Sequence, residues 1–430
     1  MLTYAILTFG CRVNQADSFE FEDELRARGG VEAAPDVADL LIINTCSVTG
    51  AADQGARRAI RRVSRDNPNA RIVVTGCYAT RKPDDLAALP NVVTVIPNTQ
   101  KDELVQLLDE RFSLTTADRF VGGDAACGST LAPGAMGRTA YPLRVQTGCE
   151  ESCAFCIIPS TRGRSRSRTV AEVLDEVRRI AAAGYKEIWL VGVHLGSFGR
   201  DLEPPSSLPT LLRALDAAPG DVSFRISSLE PMECPPDVVD LVVRSGRFAP
   251  HFHLPLQHAS DRVLAAMRRP YTFELFRNLA GRIRESMSAA SIGTDLIVGF
   301  PGEADEDASE CIRRVEQLPL SYAHVFPYSD RPGTAATSMS GKVEPPQIQA
   351  RARALRRATG DLAARFIASQ VGAVRPGLTL EDGTLVLTDN FLKVRIPPGL
   401  LRNTRVRVRI ETPDLAGSIV SGPCGPACGG

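Results

Sequence analysis

Short apolar runs at 4–9, 40–44 and 72–75 punctuate the first third of the chain. They are rich in aliphatic and β-branched residues and do not alternate with polar ones, the pattern of strands buried on both faces of a parallel sheet. A polar, helix-like stretch follows each run, at 17–28, 53–65 and 83–89. That succession predicts βαβ units. From residue 141 the alternation resumes with six candidate strands, at 143–146, 187–193, 222–227, 251–255, 293–298 and 322–326, and helix-like segments between them such as 170–183 and 273–288. Six such units predict a partial or open barrel rather than a closed ring of eight. After about residue 366 the pattern changes again. Short strands at 384–388, 391–396 and 404–410 are separated by EDG and PPG turns, which predicts a small β-barrel. RVRVRI alternates Arg405, Arg407 and Arg409 with apolar residues and so places the three arginines on one face.

Between the first two regions, residues 119–140 are rich in Gly, Ala and Pro and read as a linker that carries Cys127. The last residues, SGPCGPACGG, read as a disordered tail carrying Cys424 and Cys428. The expected division is therefore 1–118, a linker at 119–140, 141–365, 366–420, and a flexible tail at 421–430. The fold class is α/β, with an N-terminal parallel βαβ domain, a central partial (β/α)6 barrel and a small C-terminal β-barrel.

Composition narrows the class. At 430 residues the chain exceeds one ordinary core. Its 43% hydrophobic and 23% charged content is that of a soluble globular protein. No apolar stretch is long enough to span a bilayer. The opening MLTYAILTFGCR has no basic leader, and its apolar run ends too soon for a signal peptide, so a cytoplasmic location is expected. Eleven cysteines there point to metal or redox chemistry rather than a disulfide frame. The net charge is zero, so no global field draws the chain to nucleic acid. Arginines are nevertheless clustered, at 57, 58, 61, 62 and 65, at 162, 164, 166 and 168, at 351, 353, 356 and 357, and at 402, 405, 407 and 409. The planar guanidinium fork suits phosphate, although solvated helix and strand faces account for many such runs.

Six cysteines carry the candidate chemistry. Cys149, Cys153 and Cys156 form a C-x3-C-x2-C run directly after the first barrel strand, at the carboxyl edge where barrel enzymes keep their sites. The next His is His194 and the next Cys is Cys234, so the run offers three ligands and no nearby fourth. Three thiolates with an open position suit an iron–sulfur cluster, while C-x2-4-C spacing is also compatible with zinc. Cys11, Cys46 and Cys77 each follow one of the first three strands. A parallel sheet brings all its strand ends to one edge, so these three read as a second cluster site, against the alternative of three unrelated buried thiols. Gly10 and Gly76 precede two of them and permit a sharp turn.

This set of segments resembles a known family. The C-x3-C-x2-C run on a partial barrel is similar to the radical SAM enzymes. With a three-cysteine βαβ domain before it and a small β-barrel after it, nearly the whole chain resembles the radical SAM methylthiotransferases. Supporting segments are NTCSVT, TGCEESCAFCIIPSTRGRSRSR, WLVGVHLGSFG, HFHLPLQHAS, DLIVGFPGE and FPYSDRPGT. The resemblance implies a radical SAM 4Fe-4S cluster on Cys149, Cys153 and Cys156, and an auxiliary 4Fe-4S cluster on Cys11, Cys46 and Cys77. S-adenosyl-L-methionine would bind the open iron of the first and be cleaved to a radical. The auxiliary cluster would carry the sulfur that is methylated and transferred. The implied cofactor contacts are Phe155 beside the adenosine, Leu190 and Gly192 near the methionine amino group, Ser227, Ser228 and Glu230 near the ribose or carboxylate, and Val298 and Gly299 beside the adenine. Each has an ordinary structural role as its alternative, as do His251, His253, Gln257 and His258.

Among the family branches, GCRVNQAD, NTCSVTGAADQGARRAIRR and MRRPYT resemble the MtaB-like tRNA branch most. That branch adds a methylthio group to C2 of N6-threonylcarbamoyladenosine at position 37 of tRNA. The alternatives are N6-isopentenyladenosine at the same position and an aspartate of a ribosomal protein. Arg12, where the ribosomal-protein branch has Pro, and Arg331, where it has an acidic residue, favour tRNA. The implied partners are the tRNA anticodon loop, an electron donor such as a flavodoxin or ferredoxin, and a sulfur source. The C-terminal barrel would be TRAM-like and RNA-binding, with Arg405, Arg407 and Arg409 on tRNA phosphates. A non-enzymatic alternative is an RNA-binding module built on closed zinc sites.

Overall fold

LLIINT, at Leu40–Thr45, is buried along its whole length because it is the middle strand of a five-stranded parallel sheet. The computed structural model describes residues 2–47, 50–112 and 131–421. Cys127, Cys424, Cys428 and most of the expected linker and tail lie outside them. The chain divides into two units, one of residues 1–131 with 147–151 and 156–164, the other of residues 132–146 and 152–155 with 165–430.

In the first unit the strands β1 (Thr3–Thr8), β2 (Val31–Glu32), β3 (Leu40–Thr45), β4 (Arg71–Gly76) and β5 (Val92–Ile96) lie in the order β2-β1-β3-β4-β5. Alternate residues of β3 feed two cores. Leu41 and Ile43 join Ile72 and Val74 under Ala56, Ile60 and Val63 of α2 (Gly50–Asp66). Leu40 and Ile42 join Tyr4 and Val73 under Phe21 and Leu25 of α1 (Arg12–Ala27). Each such aliphatic side chain contributes roughly 1.5–3 kcal/mol by its burial. α1 begins five residues before the expected 17. Its first turns bury Asn14, Asp17 and Ser18, polar residues that break the apolar periodicity by which a helix is read. The short helices α3 (Cys77–Arg81) and α4 (Pro83–Ala87) and the longer α5 (Leu104–Phe112) complete the layers, with α6 (Ile158–Arg162) returning from later in the chain.

In the second unit all six expected strands are present: β6 (Tyr141–Arg144), β7 (Glu187–Val191), β8 (Ser223–Ile226), β9 (His251–His253), β10 (Ser291–Val298) and β11 (Tyr322–Pro327). They form two parallel triplets, β8-β7-β6 and β9-β10-β11. Single bridges, Phe224 with Phe248 and Ser228 with His253, carry the succession from β8 to β9. Spatial order thus follows chain order through six strands. A long helix, α7 (Pro345–Gln370), precedes a five-stranded antiparallel sheet of β12 (Val374–Leu380), β13 (Leu385–Thr388), β14 (Lys393–Arg395), β15 (Arg405–Ile410) and β16 (Gly417–Ser421). Its order is β14-β13-β12-β15-β16, and a bridge from Arg395 to Ala416 draws its edges together, so the sheet curls. Val406, Val408 and Ile410 are buried while Arg407 and Arg409 are exposed, as the alternation predicts. The flanking β12 and β16 were not legible, since Pro376 and Gly377 interrupt the first as a strand pattern. Among the described residues no helix is long and apolar enough to cross a membrane.

Candidate active site

The register of the first sheet places its cysteines. Thr8 pairs with Asn44, Asn44 with Thr75, and Thr45 with Gly76. One step beyond, Gly10 and Cys77 flank Cys46 on the same edge. Gly10, at φ +93°, is so close to Cys46 that a Cβ would lie 2.5 Å from its Sγ. Gly76, at φ +100°, lies where a Cβ would come 2.2 Å from the Thr45 carbonyl oxygen. Only glycine meets both demands. Side chains then lock the loops together. Asn14 Nδ2 donates to the carbonyls of Phe9 (2.8 Å) and Thr45 (2.9 Å), one beside each of the loops of Cys11 and Cys46. Thr45 Oγ1 donates to Thr75 O at 2.6 Å and accepts from Ala79 N at 3.2 Å. Asn98 Nδ2 lies 3.7 Å from Cys77 Sγ and donates to Thr161 O at 2.9 Å.

Behind this edge lies Arg162, a member of the arginine group expected to face phosphate. The structure corrects that expectation: Arg162 is buried and bound to Asp17 at 2.9 Å and Asn14 at 2.5 Å. Burial opposes its charge, but Asp17, Cys77 and Cys11 outweigh burial and hold its pKa above the ordinary range. Lys101, 2.6 Å from the same Asp17 oxygen, is pulled below its usual value, chiefly by burial. The sequence signal for this network was weak, because a single Arg in a basic run carries no mark of burial.

In the C-x3-C-x2-C loop, backbone amides address the sulfurs: Glu151 N to Cys149 Sγ at 3.4 Å and Ile158 N to Cys156 Sγ at 3.5 Å. Cys149 N donates to Gly163 O at 3.0 Å, closing the loop onto the end of α6. Cys153 Sγ accepts from Arg269 Nη1 at 2.9 Å. Arg269 also pairs with Glu230 and donates from Nε to Tyr271 Oη at 3.1 Å. Burial works against the Arg269 charge, but Glu230, Tyr271 and Cys153 prevail and its pKa is raised. Burial also raises the Glu230 carboxyl. Arg269 lies in MRRPYT, a segment legible as a family marker but silent about its contact with a cysteine.

The expected cofactor contacts fall at strand ends, with different surroundings. Leu190 is fully buried in β7, and its carbonyl accepts from Ser227 N at 3.1 Å. Gly192 packs against Leu195 and Gln146. Ser227 Oγ is buried without a hydrogen-bond partner among the described residues, the kind of polar atom a ligand can satisfy. Glu230 is held by Arg269. Val298 is buried at the end of β10, and Phe155 packs with Ile297 and Tyr328 against Ala154, Met267 and Phe300. Two histidines named from the sequence share the Tyr322 hydroxyl, His251 at 2.8 Å and His253 at 3.1 Å. A group that was missed, His194, Glu233 and Arg200, is tied by contacts of 2.6 and 2.7 Å to the Glu233 carboxylate.

The six candidate cysteines are all thiols outside any disulfide. Among the described residues, no group of three or more His, Cys, Asp or Glu side chains converges on a point that could hold a single metal ion. A closed zinc site would need its sulfurs about 2.3 Å from one centre. A four-iron cluster is held by Cys thiolates. An all-thiol donor set, with amides on Cys149 and Cys156 and the Arg269 guanidinium on Cys153, fits such a cluster. Burial pushes the Cys234 and Cys311 thiols up to about 12, so they stay protonated.

A family model described as the Radical SAM superfamily matches residues 143–315, and one described as Uncharacterized protein family UPF0004 matches residues 3–97. The threonylcarbamoyladenosine tRNA methylthiotransferase MtaB of Aquifex aeolicus (strain VF5) is 36% identical over 397 residues, covering 91% of this chain and 96% of the relative. The protein of the same name from Bacillus subtilis (strain 168) is 34% identical over 410 residues, covering 92% and 90%. Among solved structures, the radical S-adenosylmethionine methyltransferase TsrM from Kitasatospora setae, with cobalamin and a 4Fe-4S cluster bound, shares the fold at a TM-score of 0.54 and 16% identity, covering 78% of this chain and 77% of that one. Two family models and relatives of one name, alike over about nine-tenths of the chain, agree: the chain belongs to the radical SAM methylthiotransferases, in the MtaB tRNA branch.

Proposed function

We propose that this chain adds a methylthio group to C2 of N6-threonylcarbamoyladenosine in the anticodon loop of tRNA. The observation that carries this reading is the similarity to relatives of that name, which covers 96% and 90% of the length of the two described above. In this reading Cys149, Cys153 and Cys156 hold the radical SAM cluster, and Cys11, Cys46 and Cys77 hold the auxiliary one. When bound, the two clusters and S-adenosylmethionine supply the radical, the sulfur and the methyl group.

The residues of the chain bind and orient. Arg269 fixes the Cys153 sulfur and is itself fixed by Glu230, so that sulfur is held by a part-buried ion pair. Amides 151 and 158 restrain the other two sulfurs. The Ser227 hydroxyl, Glu230, Gly192 and the backbone near Leu190 and Val298 are the groups that would meet the amino acid, ribose and adenine portions of S-adenosylmethionine, with Phe155 as the aromatic contact to the adenosine. We assign residues 1–118 to the auxiliary-cluster domain, 141–365 to the radical SAM domain and 366–420 to a TRAM-like RNA-binding domain. An anticodon-loop base is unstacked and can be drawn into a pocket, as single-stranded RNA positions are. The enzyme works in the cytoplasm with an electron donor of flavodoxin or ferredoxin type and a separate sulfur source.

The test is mass spectrometry of nucleosides from tRNA of cells with and without the gene. Loss of the methylthio mark on threonylcarbamoyladenosine is expected. Loss confined to the isopentenyl nucleoside would assign the other tRNA branch.

A further inference from the structure

A set of buried charges behind the first sheet has no role in the chemistry described so far. Asp17, Lys101 and Arg162 are each at most 2% exposed at their side chains. Two cations share one carboxylate: Lys101 Nζ stands 2.6 Å and Arg162 Nη2 2.9 Å from Asp17 Oδ2. Their other partners are neutral, Asn44 Oδ1 at 2.9 Å for Lys101, and Asn14 Oδ1 at 2.5 Å and Thr147 Oγ1 at 3.2 Å for Arg162. Buried charge is costly unless it is matched. Cys77 acts electrostatically on both cations and Cys11 on Arg162, so two members of the first trio belong to the surroundings of this pair. Arg162 Nε is buried and has no acceptor among the described residues. Its two terminal nitrogens are thus engaged by protein and its third donor is left over, while the carbonyl of the preceding Thr161 accepts from Asn98 Nδ2, which also lies 3.7 Å from Cys77 Sγ. Asn14, which grips Arg162, also grips the carbonyls next to the loops of Cys11 and Cys46. The guanidinium is therefore fixed relative to the sulfurs by the same side chain that fixes their loops.

We propose that Arg162 is a positioning residue of the auxiliary centre: it supplies a fixed positive charge and an N–H donor to the sulfurs held by Cys11, Cys46 and Cys77, and so sets that centre's reduction potential. The inference rests on the reading that those three cysteines hold a four-iron cluster. Three thiolates around such a core leave it net negative, which is the missing counter-charge for the second buried cation. A fixed cation and a hydrogen bond to sulfur both stabilise the reduced form and raise its potential. Arginine suits the place because it stays charged when buried and offers donors in several directions, where lysine offers a point charge. Asp17 tempers the effect by neutralising part of the positive charge.

The experiment uses the full chain carrying Cys149→Ala, Cys153→Ala and Cys156→Ala, which leaves one centre, loaded anaerobically with iron and sulfide. Iron content and the midpoint potential, followed by electron paramagnetic resonance, are compared across three further substitutions. Arg162→Gln should shift the potential to more negative values, Arg162→Lys should shift it less, and Asp17→Asn should shift it to more positive values. Opposite signs from two substitutions in one pocket separate a charge effect from loosened packing. If Arg162→Gln fails to take up iron, the Lys and Asn variants decide by the same signs. A parent that takes up about four irons, with one potential across the variants, overturns the role of Arg162 and leaves the cluster reading standing. A parent that takes up no iron overturns both.

Discussion

His258 shows how one buried side chain ties stability to pH. It is fully buried, its Nδ1 accepts from Ser260 N at 2.9 Å, and its Nε2 lies 4.0 Å from Glu303. Burial pulls its pKa down to about 4, against the attraction of Asp307. The unfolded chain takes up the proton near pH 6.5 and the folded one only near 4. Stability is therefore full above 6.5 and falls as the pH drops through that window, by roughly 3 kcal/mol in all. Denaturant unfolding from pH 7 to pH 4 should show this slope, and His258→Asn, which keeps an acceptor for Ser260, should flatten it. At the same scale, anaerobically prepared protein should contain about eight irons, and the variant lacking Cys149, Cys153 and Cys156 about four. A colourless protein holding zinc would contradict both assignments. The cysteines were legible because thiolate spacing is itself a chemical signal. Arg162 and Arg269 were not, because a guanidinium bound to a carboxylate inside the protein reads in sequence like one in water.

Elements position those residues through backbone geometry. The strand ends of β3 and β4 are in register, and the glycines at 10 and 76 let the chain pass within contact distance of its neighbours. Gly76→Ala must adopt an unfavourable φ and push against the Thr45 carbonyl, at a cost of about 1–3 kcal/mol. The expected outcome is a lower unfolding midpoint together with reduced iron at the first trio, measured in the variant that lacks the second. The barrel is braced by Arg225 of β8, fully buried, bound to Glu187 of β7 at 3.3 Å and to the carbonyls of Thr388 (3.2 Å) and Asp389 (2.9 Å) from the curled sheet. Arg225→Leu strips Glu187 of its counter-charge, and a loss of roughly 3–5 kcal/mol is expected in equilibrium unfolding. Strand positions were largely readable from apolar runs, since a buried parallel strand must be apolar on both faces. β12 escaped because Pro376 and Gly377 weaken the strand signal, and the start of α1 escaped because its inner face is polar where it meets the cysteines.

For the molecule as a whole, the question is which arginines meet tRNA. Arg405, Arg407 and Arg409 share a strand face, but Arg405 is bound to Asp221 at 3.1 Å and to the Lys186 carbonyl at 3.0 Å. It fastens the curled sheet to the barrel. Arg407 and Arg409 remain exposed. Replacing those two by Ala should weaken tRNA binding and reduce the slope of log affinity against log salt by about one to two. Arg405→Ala should instead lower thermal stability. An unchanged salt slope in the double variant would remove this face from the tRNA interface.

The sequence by itself determined the strand–helix succession and the six thiols, because apolar period and thiolate spacing are local properties of the chain. Only the tertiary structure decided which charges are buried, which arginine braces a cysteine and which faces water. Those outcomes depend on partners as distant as Asn14 and Arg162, brought together by sheet register and packing rather than by any pattern along the chain.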